Sequence, residues 1–389
     1  MKSLFLLLLG ASSLFAQRSL IVLSVDGLDH RYLRDAEKLN LKIPRMLKLT
    51  QQGRSANGVV GVVPTVTWPS HTTLITGKRP DQHGILGNRR PRSEGGDYYW
   101  TVDLLKSKTL WHAAHDAGMK TAAITWPVTV GASIDLNLPE AFAKRNGGGM
   151  DLATIRAKGT PGLVEKIIAF DKSFDQEFMD DRTRAVAAVY FLKQEKPNLL
   201  LLHFVDHDSV AHEHGPFTKE ALEELERTDK YIGQILDAAP KNAVVCLTAD
   251  HGFERIDKMV NLAPLKEKIV LVGGAAVAQT EAAANKLRGA AGVGREIPRD
   301  EFRRFAPETK DAVAVFDSAP HVQFVINPVV TETELPPYEK GNHGLWPGRA
   351  DYRSVFVLSG EGVSRKALPE VDMLQIASEL SEVLGLKLN

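Results

Sequence analysis

The sequence predicts an α/β protein with a multiply wound, mostly parallel central sheet, helices on both faces and a smaller inserted cap lobe. Two observations lead to this prediction. Short, nearly continuous apolar runs recur along the chain, as expected for parallel strands covered on both faces. Amphipathic stretches with helix start and stop signals separate these runs. With 389 residues, 43% of them hydrophobic and 25% charged, the chain can also bury a large core.

Five apolar runs are the predicted strands of the central sheet. In chain order they are SLIVLSVDG (residues 19–27), KTAAITW (120–126), PNLLLLHFVD (197–206), AVVCLTADHG (243–252) and RSVFVLSG (353–360). Their apolar residues are almost uninterrupted, so we expect both faces of each strand to be buried.

Three stretches between or after these runs are predicted helices. The segment TLWHAAHDAG has Thr109 as a plausible N-cap and Gly118 just past its end. A second helix is expected from about Lys219, and VDMLQIASELSEVLGL (residues 371–386) closes the chain as a third. The alternation of strands and helices is typical of the α/β class.

Residues 253–342 break the alternation. This span contains GGAAVAQTEAAANKLRGAAGVG and several prolines. We interpret it as an inserted cap lobe, so that the catalytic core consists of residues 17–252 and 343–389. The sequence has no internal repeat and no low-complexity tail.

The N-terminus has the pattern of a signal peptide over residues 1–16. Lys2 precedes an apolar run that ends at Leu9, and small residues follow before Gln17. The run is too short for a transmembrane anchor. We therefore expect a secreted or periplasmic protein. The alternative, a buried first strand or helix, is disfavoured because the first predicted strand starts only at Ser19.

Charge and cysteine content exclude several classes of function. Lys plus Arg and Asp plus Glu number 48 each, and no long run of one sign occurs. Nothing therefore favours a nucleic-acid-binding surface or an anionic membrane as partner, and a negatively charged ligand must be held locally. The single Cys246 cannot form an internal disulfide and lies within a predicted buried strand.

Aspartate and histidine residues close the predicted strands. In open parallel sheets, ligands bind at the carboxyl ends of strands. The residues at or just after those ends, together with a histidine in GNHG, are Asp26, Asp208, His212, His214, Asp250, His251 and His343. Mixed Asp/His sets suit catalytic zinc, and two divalent ions suit phosphoryl transfer. The sequence therefore predicts a site for two metal ions.

A second motif, rich in hydroxyl residues, occurs earlier in the chain than most of these candidate ligands. The stretch VVPTVTWPSHTTLITGKRPDQHGILGN (residues 62–88) precedes the later Asp/His motifs. With these motifs in this order, the chain resembles the alkaline phosphatase superfamily and, within it, the nucleotide pyrophosphatase/phosphodiesterase family. The resemblance extends from Val22 to the C-terminal helix, and it implies an alkaline-phosphatase-like core.

The resemblance also implies roles for particular residues. A threonine in a T-[FW]-P turn at a helix N-terminus is the family's nucleophile, and it falls on Thr67. One metal would be held by Asp26, Thr67, Asp250 and His251. The other would be held by Asp208, His212 and His343. Asn88 matches the asparagine that donates to a non-bridging phosphoryl oxygen. Asp206 lies near Asp208 but lacks the family spacing to His212.

The implied activity is that of a secreted two-zinc phosphodiesterase or nucleotide pyrophosphatase, acting on a small-molecule phosphate ester through a covalent phosphothreonine. Alternatives within the superfamily are a phosphomonoesterase and a phosphonate hydrolase. A sulfatase is disfavoured because the C/S-x-P-x-R setting is absent, and a non-catalytic metal-binding protein because no expected ligand is missing. Diesters are favoured because TAAITWPVTVGA (residues 121–132) lacks the cations that one monoesterase branch places there.

An aromatic residue adjoins the predicted nucleophile. Trp68 matches a residue that stacks on a nucleobase in the family, although an apolar wall without base preference is an equal interpretation. Tyr98, Tyr99 and Trp100 would extend that wall if the loop after Asn88 folds back over the metals.

The remaining polar residues of these motifs are interpreted as structural. The hydroxyls of Thr65, Ser70, Thr72 and Thr73 are expected to cap or pack the helix. The histidines near the motifs, expected to support the site or the core, are His71, His83, His203, His207 and His214. The histidines without a motif are His30, His112, His115 and His321.

Overall fold

The computed structural model describes residues 18–142 and 149–388. The predicted signal peptide, residues 1–16, lies outside the described residues. The described strands are β1 (Leu20–Val25), β2 (Arg54–Ala56), β3 (Val59–Val60), β4 (Thr121–Ile124), β5 (Leu136–Leu138), β6 (Leu199–Phe204), β7 (Val244–Thr248), β8 (Glu254–Arg255), β9 (Lys258–Asn261), β10 (Ile269–Val272), β11 (Ala275–Ala278), β12 (Val293–Glu296), β13 (Ala314–Ser318), β14 (Val322–Val325), β15 (Glu334–Leu335), β16 (Gly341–Asn342), β17 (Phe356–Gly360), β18 (Lys366–Leu368) and β19 (Val371–Asp372).

Helices lie between these strands. They are α1 (His30–Arg34), α2 (Pro44–Gln52), α3 (Thr67–Thr76), α4 (Pro80–His83), α5 (Leu110–Asp116), α6 (Leu152–Lys158), α7 (Leu163–Phe170), α8 (Asp181–Tyr190), α9 (Asp206–His214), α10 (Lys219–Ala238), α11 (Glu281–Leu287), α12 (Arg299–Phe305) and α13 (Ile376–Val383). Among the described residues, no helix is both long and apolar enough to cross a membrane.

The central sheet has eight strands in the order β18-β2-β17-β7-β1-β6-β4-β5. All five predicted strands belong to it. β1 pairs in parallel with β6 on one side and with β7 on the other. β17 is the exception, since it runs antiparallel to both β7 and β2. The predicted α/β class with a mostly parallel central sheet is confirmed.

Both faces of the sheet are covered. Ile21, Leu23 and Val25 of β1 pack into a core shared with α2, α8 and α10. The alternate residues Leu20 and Val22 pack into a second core, shared with α3, α5 and α13. Because successive side chains of a strand point to opposite faces, two buried faces require an uninterrupted apolar run. This is the pattern that the sequence shows.

The predicted helix limits hold for the first two helices. α5 begins after Thr109, whose hydroxyl accepts a hydrogen bond from the backbone N–H of His112 at 3.3 Å. Gly118 follows α5 with a φ of +70°, which glycine adopts without strain. α10 runs from Lys219 to Ala238, with Thr218 as its N-cap.

The C-terminal helix is shorter than predicted. Val371 and Asp372 are extended and pair in parallel with β3. The side chain of Asp372 then accepts a hydrogen bond from the backbone N–H of Leu374 at 3.1 Å and starts a short 3-10 turn. Strand pairing and this cap delay the α-helix until Ile376.

The segment that interrupts the alternation contains sheets of its own. β10, β11, β13 and β12 form a four-stranded sheet, and β14, β9 and β15 form a three-stranded one. Its two ends lie side by side, because β8 and β16 pair antiparallel, with Arg255 opposite Gly341. The segment also packs against Trp346, whose ring centroid is 5.7 Å from that of Phe302. The division into a core (17–252 and 343–389) and a cap lobe (253–342) stays a prediction.

Candidate active site

Three adjacent strands bring the predicted ligands to one edge of the sheet. β7, β1 and β6 are neighbours, and their carboxyl ends point the same way. Asp26 follows β1, and Asp250 follows β7 within two residues of its end. Asp208 lies in the first turn of α9, which begins just after β6. His343 directly follows β16.

Two adjoining groups of side chains could each hold a metal ion. Asp26, Asp250 and His251 form the first group, and Asp208, His251 and His343 form the second; within each group the ligand atoms lie within 4.8 Å of one another. The two groups share His251, whose ring stacks on that of His343 at a centroid distance of 3.6 Å. His212 adjoins the second group.

The first group is closely spaced. His251 Nε2 lies 3.3 Å from Asp26 Oδ1 and 3.1 Å from Asp250 Oδ2. The other oxygen of Asp250 accepts hydrogen bonds from the backbone N–H groups of Gly27 and His251, both at 3.1 Å. These two bonds fix the carboxylate so that Oδ2 faces the imidazole.

The second group is centred on Asp208. Its Oδ1 lies 3.5 Å from His212 Nε2 and 3.6 Å from His343 Nε2. Asp206, two residues earlier, is engaged elsewhere. Its carboxylate accepts a hydrogen bond from the backbone N–H of Asp181 at 2.8 Å and another from Arg184 Nη1 at 3.1 Å. The geometry therefore places Asp208, and not Asp206, among the histidines.

The histidine tautomers test whether these groups suit a cation. The Nδ1 atoms of His212, His251 and His343 face the backbone oxygens of Gly341, Gly252 and Thr65 at 3.0, 3.2 and 3.1 Å. A carbonyl oxygen only accepts hydrogen bonds, so a neutral imidazole here carries its proton on Nδ1. In His251 and His343, whose pKa values are lowered by burial, Nε2 then presents a lone pair to a carboxylate, which is repulsive unless a cation lies between them. The residues present therefore fit a metal ion.

Unpaired buried atoms lead to the same conclusion. Four buried ligand atoms have no hydrogen-bond partner among the described residues: Asp26 Oδ1, Asp208 Oδ1, Asp250 Oδ2 and His251 Nε2. Buried polar atoms without partners are costly and rare in proteins. Four of them pointing at one another are typical of a site built for cations.

The pKa values reflect crowded charges. Burial, and then the negative charge of Asp208, raise the pKa of Asp26 well above its usual value. Burial and the neighbouring Asp26 raise the pKa of Asp250 likewise. Burial alone would raise the pKa of Asp208, but the attraction of His212 and His343 outweighs it and lowers the pKa.

The histidines are shifted in opposite directions. Burial lowers the pKa of His343 to about 4 and that of His251 well below its usual value. Burial opposes the charge of His212, but Asp208 and Glu339 prevail and raise its pKa to about 10. Protons and metal ions therefore compete for the same atoms, and metal affinity depends on pH.

Thr67 lies at the N-terminus of α3, beside these groups. The helix has no side-chain N-cap, since Val66 occupies that position. The carbonyl oxygen of Thr67 accepts a hydrogen bond from Nδ1 of His71 at 2.9 Å, and the same Nδ1 lies 3.6 Å from Asp250 Oδ2. The helix dipole at this end favours an anion.

The other hydroxyls of this helix serve its own backbone. Thr72 donates to the carbonyl oxygen of Trp68 at 2.8 Å, and Thr73 donates to that of Lys78 at 3.0 Å. Thr65, just before the helix, donates to the carbonyl oxygen of Leu345 at 2.7 Å. These contacts agree with the packing roles expected for them. Ser70 Oγ is buried and has no hydrogen-bond partner among the described residues.

Asn88 is held against the start of α3. Its Oδ1 accepts a hydrogen bond from the backbone N–H of Trp68 at 3.0 Å. No hydrogen bond from its Nδ2 to a described residue is present, so this amide keeps its donors for a ligand. This hydrogen bond holds the Asn88 side chain against the backbone of Trp68, the residue that follows Thr67.

Aromatic rings cover the side of α3 next to Thr67. The ring of Trp68 lies 5.0 Å from Tyr98, 6.2 Å from Trp100 and 6.3 Å from Phe142, centroid to centroid. Trp68 is only 4% exposed, whereas the other three rings are partly exposed. A ligand would therefore meet Tyr98, Trp100 and Phe142 first. Tyr99 is buried and has no ring contact with Trp68.

Two histidines with an expected supporting role contact the site from below. His203 Nε2 lies 3.0 Å from Asp26 Oδ2, and its Nδ1 lies 3.1 Å from the carbonyl oxygen of Thr125. His71 Nε2 lies 2.9 Å from Ser24 Oγ. By contrast, His207 packs edge-on against Tyr32, away from the ligands.

Sequence reasoning missed one buried carboxylate. Glu140 is 2% exposed, and its Oε2 lies 3.5 Å from His203 Nδ1. It lies two residues past the carboxyl end of β5, a strand that was not predicted because it has only three residues. Reading DLNLPE as a short strand with an acidic residue at its end would have found it.

The sequence and the fold of this chain are similar to those of known proteins. The family model of type I phosphodiesterase / nucleotide pyrophosphatase matches residues 20–325. The chain belongs to this family. The match covers most of the chain and includes the segments that carry Asp26, Thr67, Asp208 and Asp250.

Curated relatives of the family are distant in sequence and much longer. Human ectonucleotide pyrophosphatase/phosphodiesterase family member 1 is 25% identical over 249 residues, which is 60% of this chain and 23% of that protein. Venom phosphodiesterase 2 of Crotalus adamanteus is 26% identical over 267 residues, 62% of this chain and 28% of that protein. The chain thus matches about a quarter of the length of these relatives.

Solved structures of the family share the fold. Murine ectonucleotide pyrophosphatase/phosphodiesterase 5 superposes with a TM-score of 0.66 at 19% identity, covering 96% of each chain. The human protein of the same name gives 0.67 at 17% identity. An inactive threonine-to-alanine variant of the murine protein, in complex with AMP, gives 0.66 at 18% identity, also over 96% of each chain.

Proposed function

We propose that this protein hydrolyses phosphate diesters, including nucleotide pyrophosphates, with two divalent metal ions and a covalent phosphothreonine intermediate. One observation carries the proposal: three imidazole rings and three carboxylates converge beside the N-terminus of the helix that begins at Thr67. Such a site attracts cations, and the cations in turn attract an anionic phosphoryl group.

The metal ions would be held by the two adjoining groups. Asp26, Thr67, Asp250 and His251 would form one ligand set, with Asp208, His212 and His343 as the other. Zinc is the proposed ion because imidazole and carboxylate ligands with an open position suit it. When bound, such ions lower the pKa of a hydroxyl ligand and stabilise negative charge on phosphoryl and leaving-group oxygens.

Thr67 is the proposed nucleophile. Its Oγ would give up its proton to solvent and attack phosphorus, so that the Oγ–P bond forms while the bond from phosphorus to the leaving oxygen of an alcohol or a phosphate breaks, and that oxygen takes up a proton from solvent. Water then attacks the phosphothreonine, releasing the phosphate monoester, and Thr67 Oγ leaves phosphorus again. The inactive threonine-to-alanine variant of the murine relative supports a threonine in this role.

Asn88 would stabilise the charge that develops on the phosphoryl group. Its Oδ1 is occupied by the backbone N–H of Trp68, which leaves the Nδ2 donors for a non-bridging oxygen. A donor fixed before the reaction costs no reorganisation when charge develops. The dipole of α3 at its N-terminus acts in the same direction.

The substrate is proposed to be a diester with an aromatic or nucleoside substituent. Tyr98, Trp100 and Phe142 offer an apolar surface beside Thr67. Residues 121–132 carry no Lys or Arg to balance the second charge of a monoester. The AMP complex of the murine relative supports a nucleotide ligand. We also propose export of the protein, on the basis of residues 1–16.

Hydrolysis of chromogenic esters tests the proposal. We expect a higher kcat/KM for bis(p-nitrophenyl) phosphate than for p-nitrophenyl phosphate or a p-nitrophenyl phosphonate. A chelator should abolish the activity, and zinc should restore it with about two ions per chain. A preference for the monoester or the phosphonate would overturn the diesterase assignment. Turnover without metal ions would contradict the proposed role of the metal site.

A further inference from the structure

The three site histidines differ in what holds their Nδ1 atoms. His251 and His343 each face one backbone carbonyl oxygen. His212 faces the carbonyl oxygen of Gly341 at 3.0 Å and, at 2.8 Å, the carboxylate oxygen Oε2 of Glu339. Among the described residues, His212 is the one site histidine whose Nδ1 contacts a carboxylate.

Glu339 is itself held in place. Its Oε2 accepts a hydrogen bond from Asn342 Nδ2 at 3.1 Å. The backbone N–H of the next residue, Lys340, donates to the carbonyl oxygen of His212 at 2.9 Å. The segment that carries Glu339 therefore binds α9 by a backbone hydrogen bond as well as by the side chain, and it ends four residues later at His343.

We propose that Glu339 is a positioning residue for the metal site, which accepts the Nδ1–H of His212 and directs its Nε2 towards Asp208 and His343. The inference rests on the proposed function. A carboxylate behind a metal-binding imidazole fixes the ring and its tautomer and makes the opposite nitrogen a stronger ligand. The segment before His343 would thus support one ligand through Glu339 and supply another directly.

The alternative is that Glu339 is an ordinary surface carboxylate, since 45% of its side chain is exposed. Two features argue against it. The carboxylate oxygen contacts both a ring nitrogen and an amide at hydrogen-bond distance, and the ring nitrogen belongs to a predicted metal ligand. Partial exposure has a practical benefit, because substitutions at this position should leave the fold intact.

Zinc affinity of the full chain tests the inference without relying on turnover. We would titrate metal-free protein with zinc in competition with a chromogenic chelator, for the wild type, Glu339→Gln and Glu339→Asp. For Glu339→Gln, we expect the affinity of one of the two sites to fall by roughly 10–100-fold, and that of the other to stay within about threefold. Glu339→Asp keeps the charge but shortens the side chain, so it should resemble Glu339→Gln.

Glu334→Gln is the matched control. Glu334 lies in the same segment and pairs with Lys258 at 2.9 Å. It has no contact with a site histidine, so both zinc affinities should remain those of the wild type.

The outcomes separate the two proposals. Wild-type protein that binds no zinc contradicts the proposed function itself. Two bound zinc ions with unchanged affinities in Glu339→Gln contradict only the positioning role. If Glu339→Asp keeps the zinc affinity of the wild type, the effect of Glu339→Gln comes from the loss of charge alone. The proposed positioning of His212 by its contact with Glu339 would then be wrong.

Discussion

At the scale of single residues, the backbone decides what the histidines of the site can do. The carbonyl oxygens of Gly252 and Thr65 accept hydrogen bonds from Nδ1 of His251 and His343, and Gly341 and Glu339 both face Nδ1 of His212. The Nε2 atom of each ring is thereby turned towards Asp26, Asp208 or Asp250. A histidine whose Nδ1 faced a donor instead would present an N–H to the carboxylates and hold no metal. The groups that orient the imidazole rings therefore matter as well as the identity of the ligands.

The first prediction concerns the hydroxyl of Thr67. Thr67→Ala should lower kcat/KM for bis(p-nitrophenyl) phosphate by roughly a thousandfold or more, because the nucleophile is lost. Thr67→Ser should keep part of the activity. Zinc content should hardly change, since six other ligands remain.

Thr76→Ala serves as the control for this prediction. It removes a hydroxyl from the same helix, one that donates to the carbonyl oxygen of Thr72 at 2.7 Å. Its activity should stay within a few-fold of the wild type. Equal activity of Thr67→Ala and Thr76→Ala would remove Thr67 from the mechanism.

The second prediction concerns the pH dependence of stability through His83. Its Nδ1 accepts a hydrogen bond from the backbone N–H of Ile85 at 3.2 Å, and its Nε2 lies 3.1 Å from the Thr73 hydroxyl. Burial lowers the pKa of His83 from 6.5 to about 4. Between these values the unfolded chain binds the proton more tightly, so stability is complete above pH 6.5 and falls as the pH drops towards 4.

Chemical unfolding of the metal-free protein at several pH values would measure this effect. The wild type should lose up to roughly 3 kcal/mol more than His83→Gln between pH 6.5 and 4. Other buried histidines titrate in both proteins, so the difference isolates His83. Parallel curves for the two proteins would contradict the prediction.

At the scale of elements, α3 and the loop that precedes α5 act together. α3 starts without a side-chain cap from Val66, and its first turn carries Thr67 and Trp68. Asn88 binds the backbone of that turn from the following loop. The backbone turns tightly at Tyr99, where the N–H of Trp100 donates to the carbonyl oxygen of Tyr98 at 2.9 Å. The rings of Tyr98 and Trp100 both contact Trp68, while Tyr99 is buried.

The third prediction uses this aromatic surface. Tyr98→Ala should lower kcat/KM for a nucleotide p-nitrophenyl ester by roughly 5–150-fold, since stacking on a base contributes about 1–3 kcal/mol. Methyl p-nitrophenyl phosphate has no base and should be affected less. Both assays use one preparation, so metal loading cancels.

Tyr338→Ala is the control for the aromatic surface. Tyr338 is exposed, at 73%, and makes no ring contact with Trp68 or its neighbours. The ratio of the two kcat/KM values should remain that of the wild type. If Tyr98→Ala lowers kcat/KM for both substrates equally, the aromatic surface is an apolar wall without preference for a base.

At the scale of the whole molecule, the site joins distant parts of the chain. β1, β6 and β7 supply carboxylates from three central strands, and His343 arrives after the inserted segment. Without a cation, buried carboxylates and imidazoles with raised or lowered pKa values face one another. Metal ions held by these groups would bind the folded state and not the unfolded chain, so binding should stabilise the fold.

The fourth prediction is a zinc-dependent rise in thermal stability. At a thousandfold excess over Kd, each site should contribute about 4 kcal/mol, which raises Tm by several degrees. Asp208→Asn should lose a large part of the rise. Thermal unfolding of metal-free and zinc-saturated protein measures the difference.

Asp206→Asn is the matched variant for the zinc experiment. Its own Tm should fall because Arg184 loses a partner at 3.1 Å, but the zinc-dependent rise should persist. If the zinc-dependent rise in Tm is lost in Asp206→Asn and kept in Asp208→Asn, the ligand is Asp206 and not Asp208.

The amino-acid sequence was enough to predict five of the eight strands of the central sheet and the candidate ligands that follow them. Five apolar runs predicted five strands of the central sheet, because burial on both faces requires uninterrupted apolar residues. Asp26, Asp208, Asp250, His251 and His343 were predicted from their places after strand ends and from motif spacing, and the structure brings them together. These features are local in the chain, so they are visible without coordinates.

Only the tertiary structure decided the surroundings of these ligands. Glu140 and Glu339 lie near the site through contacts with His203 and His212 across 63 and 127 residues of chain, and the motifs that predicted the ligands do not include them. The start of α13 depended on pairing between β19 and β3. The exposure of Tyr98 over Trp68 depended on how a loop folds back. Such contacts depend on packing between distant segments, which a single sequence does not encode as a local pattern.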